Sequence, residues 1–146
     1  MPMFVCSATT GCLTPAQKME IAQIITDIYH EETGGPRYMV QVIFHDVAPG
    51  NYYVAGEPAP ANKIWIRGDT RSEKTAEQRS QMLKRIIRDV SRASGAAEEA
   101  LSVVLSEIPA ANMADYGRLA PAPGEDFDAW LSSLSDTLRE RLRLLS

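Results

Sequence analysis

At 146 residues, 45% apolar and 23% charged, the chain has the size and make-up of one globular domain able to bury a core. Its formal net charge of −4 lacks the basic excess of a nucleic-acid binder. No apolar stretch nears the roughly 18 residues of a membrane-spanning helix, and the start lacks a secretory signal's basic segment and apolar run. A cytoplasmic location with neither nucleic-acid nor membrane partners is therefore expected.

Pro2 follows Met1 directly and opens the apolar run Met3-Phe4-Val5-Cys6. If Met1 is removed, Pro2 becomes a secondary amine at the start of a strand expected over residues 3–7. An α-amino group titrates near ~8 in the open, and burial beside cations lowers that value toward a general base at neutral pH. Cys6 and Cys12 are too few for a disulfide framework and read as reduced thiols.

Thr14 is placed to cap a helix with Pro15 at its first position. Ile21, Ile25 and Ile28 lie on one face of it with Ala22 and Tyr29, and Gly34-Gly35-Pro36 ends it. A β-branched, apolar strand is expected over residues 38–44. The following loop, residues 47–62, is rich in Pro, Gly and Ala and long enough to be a lid or an interface arm.

An internal repeat then appears at an offset of 61 residues, as from Val40 to Leu101. It sets Met3-Phe4-Val5 on Ile64-Trp65-Ile66, Thr14 on Thr75, Gln17 on Gln78 and Lys18 on Arg79. The second half accordingly predicts a strand over 63–67, a helix over 75–94 with Met82, Ile86 and Val90 on one stripe, a stop at Gly95, and a strand over 101–106.

Two β-α-β units, residues 2–47 and 63–108, predict a single α+β domain spanning 1–146. Its four-stranded sheet carries both helices on one face, and oligomerisation would cover the other. The tail, 125–146, reads as a short turn and a helix with Leu134, Leu138, Leu142 and Leu145 on one stripe and Trp130 as packing anchor. No spacing of His, Cys, Asp or Glu reads as a metal site, and there is no glycine-rich phosphate loop.

The Met-Pro start and the doubled unit resemble the tautomerase superfamily, and within it the cis-3-chloroacrylic acid dehalogenase group. The matching words are Leu13-Thr14-Pro15, Ile25-Thr26-Asp27, Gln41-Val42-Ile43-Phe44, Ile64-Trp65-Ile66 and Arg71. The longest runs Glu107-Ile108-Pro109-Ala110-Ala111-Asn112-Met113-Ala114-Asp115-Tyr116-Gly117-Arg118 and is followed by Pro123-Gly124.

The resemblance implies a cofactor-independent homotrimer acting on a small carboxylate, with Pro2 as base or acid. Arg71 matches the first arginine of the family's carboxylate-binding cluster, a role that suits a guanidinium's two parallel donors. The second cluster arginine falls on Lys74, and the water-activating glutamate on Asp115, one methylene shorter. The family's histidine falls on Tyr29 and its last-strand tyrosine on Val104. His30 adjoins Tyr29, but one helical step rotates a side chain by about 100°, so His30 is expected on the surface. Arg118 matches the family's Tyr-Gly-Arg word and is expected to line the site or to buttress the trimer. His45 and Trp65 are expected to be structural.

These residues imply a keto-enol tautomerase of 2-oxo acids with only weak dehalogenase or hydratase activity. Two alternatives stand beside it. One is a dedicated hydratase, dehalogenase or decarboxylase of unsaturated three-carbon acids. The other is a non-catalytic trimer that binds a carboxylate or a partner.

Overall fold

The computed structural model describes residues 1–146. Strand β1 (Met3–Thr9) leads into helix α1 (Pro15–Thr33), and β2 (Gln41–Val47) returns parallel to β1. The loop beyond it folds back as a small antiparallel hairpin, β3 (Tyr53–Val54) and β4 (Glu57–Pro58). The second unit is β5 (Ile64–Arg71), α2 (Ala76–Ser94) and β6 (Leu101–Ile108), the two strands again parallel. Strands β1 and β5 pair antiparallel at the centre, giving one four-stranded sheet in the order β2-β1-β5-β6. A second small hairpin, β7 (Ala114–Asp115) and β8 (Arg118–Leu119), precedes the tail helices α3 (Phe127–Ser132) and α4 (Asp136–Arg143).

The repeat is visible in the helix ends. Thr14 and Gln17 form a capping box, and Thr75 and Gln78 form its counterpart. Each glutamine also reaches the far end of the other helix. Gln17 Nε2 donates to the carbonyl oxygens of Ala93 and Ser94 at 3.2 and 3.1 Å, and Gln78 Nε2 donates to that of Glu32 at 2.8 Å. The orphan carbonyls of each last turn are thus satisfied from its neighbour's first turn, which fixes the helices side by side and antiparallel. Gly34 (φ 69°) and Gly95 (φ 75°) end the two helices in the left-handed conformation that side chains disfavour.

Alternate strand residues face the helices. Phe4, Cys6 and Ala8 of β1 and Ile64 and Ile66 of β5 pack with Ile21, Ile25 and Ile28 of α1 and Met82, Ile86 and Val90 of α2, all buried. Burial of each Ile, Val, Met or Phe side chain among these contributes about 1.5–3 kcal/mol. The opposite sheet face has no covering layer of its own, and Ile43 and Val104 there are 39% and 46% exposed.

Strands β1, β2 and β6 each run two or three residues past their expected ends, and other boundaries shift as well. Residues 37–39 form a 3₁₀ turn after Pro36, and strand β2 begins only at Gln41. Tyr38 and Met39 turn instead into a second buried cluster with Trp130, Leu131, Leu134 and Leu142. Strand β5 continues four residues past its expected end, so Arg71 closes a strand rather than sitting in a loop. The tail is two helices, and Leu145 at its end is exposed.

Candidate active site

The register of the central strands assembles the site. Met3 pairs with Asp69, so one further step sets Pro2 beside Thr70 and the chain-start amine beside Arg71. Pro2 is fully buried, and its carbonyl oxygen accepts the Gln41 backbone N–H at 3.0 Å. The Met1 amine donates to Met113 Sδ at 3.8 Å. Burial, and next the positive charge of Arg71, push this amine down to about 6, with Asp115 opposing and Lys74 adding to the effect. The repeat places Thr10 and Leu13 where Arg71 and Lys74 stand, so only one end of the sheet carries this pair of cations.

The Arg71 side chain is only 12% exposed, with Nη2 3.5 Å from Glu73 Oε2 and Cζ 5.8 Å from the Phe127 ring centre. Glu73 holds φ 93°, an unusual conformation for a residue with a side chain. The chain then turns so that Lys74 points back into the fold. Lys74 Nζ lies 5.3 Å over the Tyr29 ring and donates to the Arg71 carbonyl oxygen. Burial pushes its amine down to about 8, with Glu107 opposing and Arg71 reinforcing the shift.

Tyr29 is buried near the end of α1, edge-on to Phe4 at 6.5 Å, and burial raises its phenol above the ordinary range. Gly35 lies against it: a Cβ at that position would come within 2.6 Å of Tyr29 Cε1. Tyr29, Arg71, Lys74, Gln78 and Phe127 line one cavity of about 230 Å3.

Asp115 flanks the amine from the other direction. Its carboxylate accepts Gln41 Nε2 at 3.2 and 3.1 Å and the Tyr116 backbone N–H at 3.0 Å. Burial raises its carboxyl, and these donors together with the amine counter the rise. Within one chain, Arg71 and Lys74 therefore stand between two groups: Tyr29 on the cavity wall, and the chain-start amine with Asp115, while neither Pro2 nor Asp115 lines that cavity. Arg118 does not join them: it is exposed and reaches the Ser133 carbonyl oxygen at 3.4 Å. Val104 lies on the bare sheet face, away from the cavity. His30 turns outward, with Nδ1 2.8 Å from the Gly35 carbonyl oxygen, and lines a separate cleft with Arg37 and Tyr38. No three His, Cys, Asp or Glu side chains are grouped to hold a metal ion.

Two residues escaped the sequence reading. Gln41 carried one signal, its place in the family word Gln41-Val42-Ile43-Phe44, without a role attached to its side chain. Phe127 carried none, because its contact with Arg71 depends on how the tail crosses the sheet end.

Residues 1–133 match the family model Tautomerase_3, described as "Putative oxalocrotonate tautomerase enzyme". Among solved structures, N1, a member of the cis-3-chloroacrylic acid dehalogenase family, is 33% identical, with a TM-score of 0.90 over 97% of this chain and 98% of its own. Pt0534, solved after inactivation by 2-oxo-3-pentynoate, is 25% identical, with a TM-score of 0.73 over 81% and 94%. A fused 4-OT symmetric trimer, Q0, is 25% identical, with a TM-score of 0.75 over 84% and 99%. No curated protein matches the sequence.

Proposed function

This chain belongs to the Tautomerase_3 family, and from that premise we propose that it is a cofactor-independent keto-enol tautomerase of 2-oxo acids working through Pro2. The observation that carries the reading is the buried Pro2 at the head of β1, its nitrogen one residue along the chain from an amine that burial, Arg71 and Lys74 already depress. Loss of Met1 makes that nitrogen a secondary amine among the same charges.

In this reading Arg71 takes the substrate carboxylate with two parallel donors and Lys74 supplies a second positive charge. The free Pro2 nitrogen accepts the proton of the enol hydroxyl, and the resulting ammonium delivers a proton to C3, leaving the 2-oxo acid. Proton transfer by a positioned group supplies roughly 10²–10⁴-fold. Inactivation of the related Pt0534 by 2-oxo-3-pentynoate supports a 2-oxo acid as the substrate class.

Dehalogenation or hydration is a minor activity in this proposal. It needs an activated water, and here Asp115 is short, Tyr29 stands for the family's histidine and Val104 has no hydroxyl. A homotrimer is proposed as well, since the sheet face bearing Ile43 and Val104 has no cover within the chain, and sedimentation measures it directly. The test of function is a pH-rate profile for ketonisation of an arylenolpyruvate. Activity should rise with the free amine at a pH below the ordinary ~8 of an α-amino group. A flat profile, or one unchanged by Pro2→Ala, contradicts the proposal.

A further inference from the structure

Lys74 is more than a weaker copy of an arginine. It makes no ion pair, although two carboxylates are near, because Glu73 is taken by Arg71 and Glu107 by Arg79. Its Nζ lies between the Arg71 strand end and the face of the Tyr29 ring, on the wall of the cavity. An amine desolvated on an aromatic surface and set beside another cation is the arrangement that activates lysine as a nucleophile toward carbonyls. A guanidinium at this position would have no such chemistry.

We infer that Lys74 is an amine nucleophile that forms an imine with the carbonyl of a 2-oxo acid held in this cavity by Arg71. The inference rests on the carboxylate site proposed at Arg71 and is independent of Pro2. With the carboxylate on the guanidinium, the adjacent C2 carbonyl carbon faces the neighbouring amine. The neutral Nζ lone pair attacks C2, the carbonyl π pair moves to oxygen, and a proton passes from nitrogen to that oxygen to give the carbinolamine. The oxygen then leaves as water with the second amine proton, and the Nζ=C2 double bond remains.

The depressed amine supports this, since near pH 8 a large share of Lys74 is unprotonated. The groups acting on it are Arg71 and Arg79, which favour the neutral form, and Glu107 and Glu73, which oppose it. An imine at C2 also acidifies C3, giving a route for hydrogen exchange there that does not need Pro2.

The test is reductive trapping of the full-length protein with pyruvate and borohydride at pH 8, followed by peptide mass mapping. Lys18, Lys63 and Lys84 are the internal controls. The expected result is a reduced pyruvyl group on Lys74, formed about tenfold or more faster than on those three lysines, with any label on the chain-start amine distinguished by its own N-terminal peptide. Lys74→Arg should abolish that label, and Arg71→Ala should reduce it. Pyruvate C3 deuterium exchange should persist in Pro2→Ala and fall in Lys74→Arg. No preferential Lys74 label in the unaltered protein overturns the inference, whatever Pro2→Ala does to ketonisation. A Lys74 label with ketonisation unaffected by Pro2→Ala upholds it while refuting the Pro2 mechanism.

Discussion

Gln41 Nε2 donates to both oxygens of Asp115, at 3.2 and 3.1 Å, while the Gln41 backbone N–H holds the Pro2 carbonyl oxygen at 3.0 Å. One residue therefore spaces the carboxylate from the head of β1. Replacing it with leucine keeps the bulk and removes the donor. A half-buried carboxylate left short of a donor costs about 1–3 kcal/mol. Gln41→Leu should lower thermal stability accordingly and raise the Asp115 titration further. Unchanged melting and unchanged Asp115 titration, followed by NMR, would show the contact to be incidental.

Lys74 gives the site a pH limit. Its amine sits near 8, so the positive charge is present below that pH and lost as pH rises through it. Substrate KM should climb above about pH 8, approaching tenfold per unit if binding requires the ammonium. Lys74→Arg fixes the charge and should remove this limb of the profile. The same limb in Lys74→Arg would assign it to another group.

Much of this was legible in the sequence, and the reason is local. The 61-residue offset carried Thr-Gln capping signals, glycine stops and period-2 strands into both halves, and each is decided by neighbours within a few residues. Arg71 and Asp115 stand in the family words, and Lys74 stands where the resemblance sets the second cluster arginine. The Gln41 bridge, the Phe127 contact and the outward turn of Arg118 depend on the tail and the β7-β8 hairpin crossing the end of the sheet. No short-range pattern encodes that crossing. The residue type of Tyr38 suits a strand, but Pro36 and the tail cluster override that preference.

Phe127 holds Arg71 from the cavity side. Its ring lies 5.8 Å from the guanidinium carbon, and such a pairing is worth roughly 0.5–2 kcal/mol. Phe127→Ala should raise KM for a 2-oxo acid by about 2- to 30-fold with a smaller change in kcat. Phe127→Tyr should restore it. A selective loss of kcat would instead place Phe127 in the chemical step.

Water-activating chemistry should be recoverable at a cost. Halide release from cis-3-chloroacrylate is expected to be weak, and the combination Tyr29→His, Lys74→Arg, Val104→Tyr and Asp115→Glu should increase it. Tyr29 is buried against Phe4, so Tyr29→His removes core volume and should destabilise the fold by about 2–4 kcal/mol. Halide release and thermal melting, measured on the same variants, check both halves of this expectation.

The most direct measurement is ketonisation of an arylenolpyruvate by the unaltered protein and by Pro2→Ala, with intact mass establishing that Met1 is absent from both. With Pro2 as the proton-transfer group, kcat/KM should fall by about 10²–10⁴-fold in the variant while carboxylate binding persists. Equal rates in the two proteins would contradict the central claim.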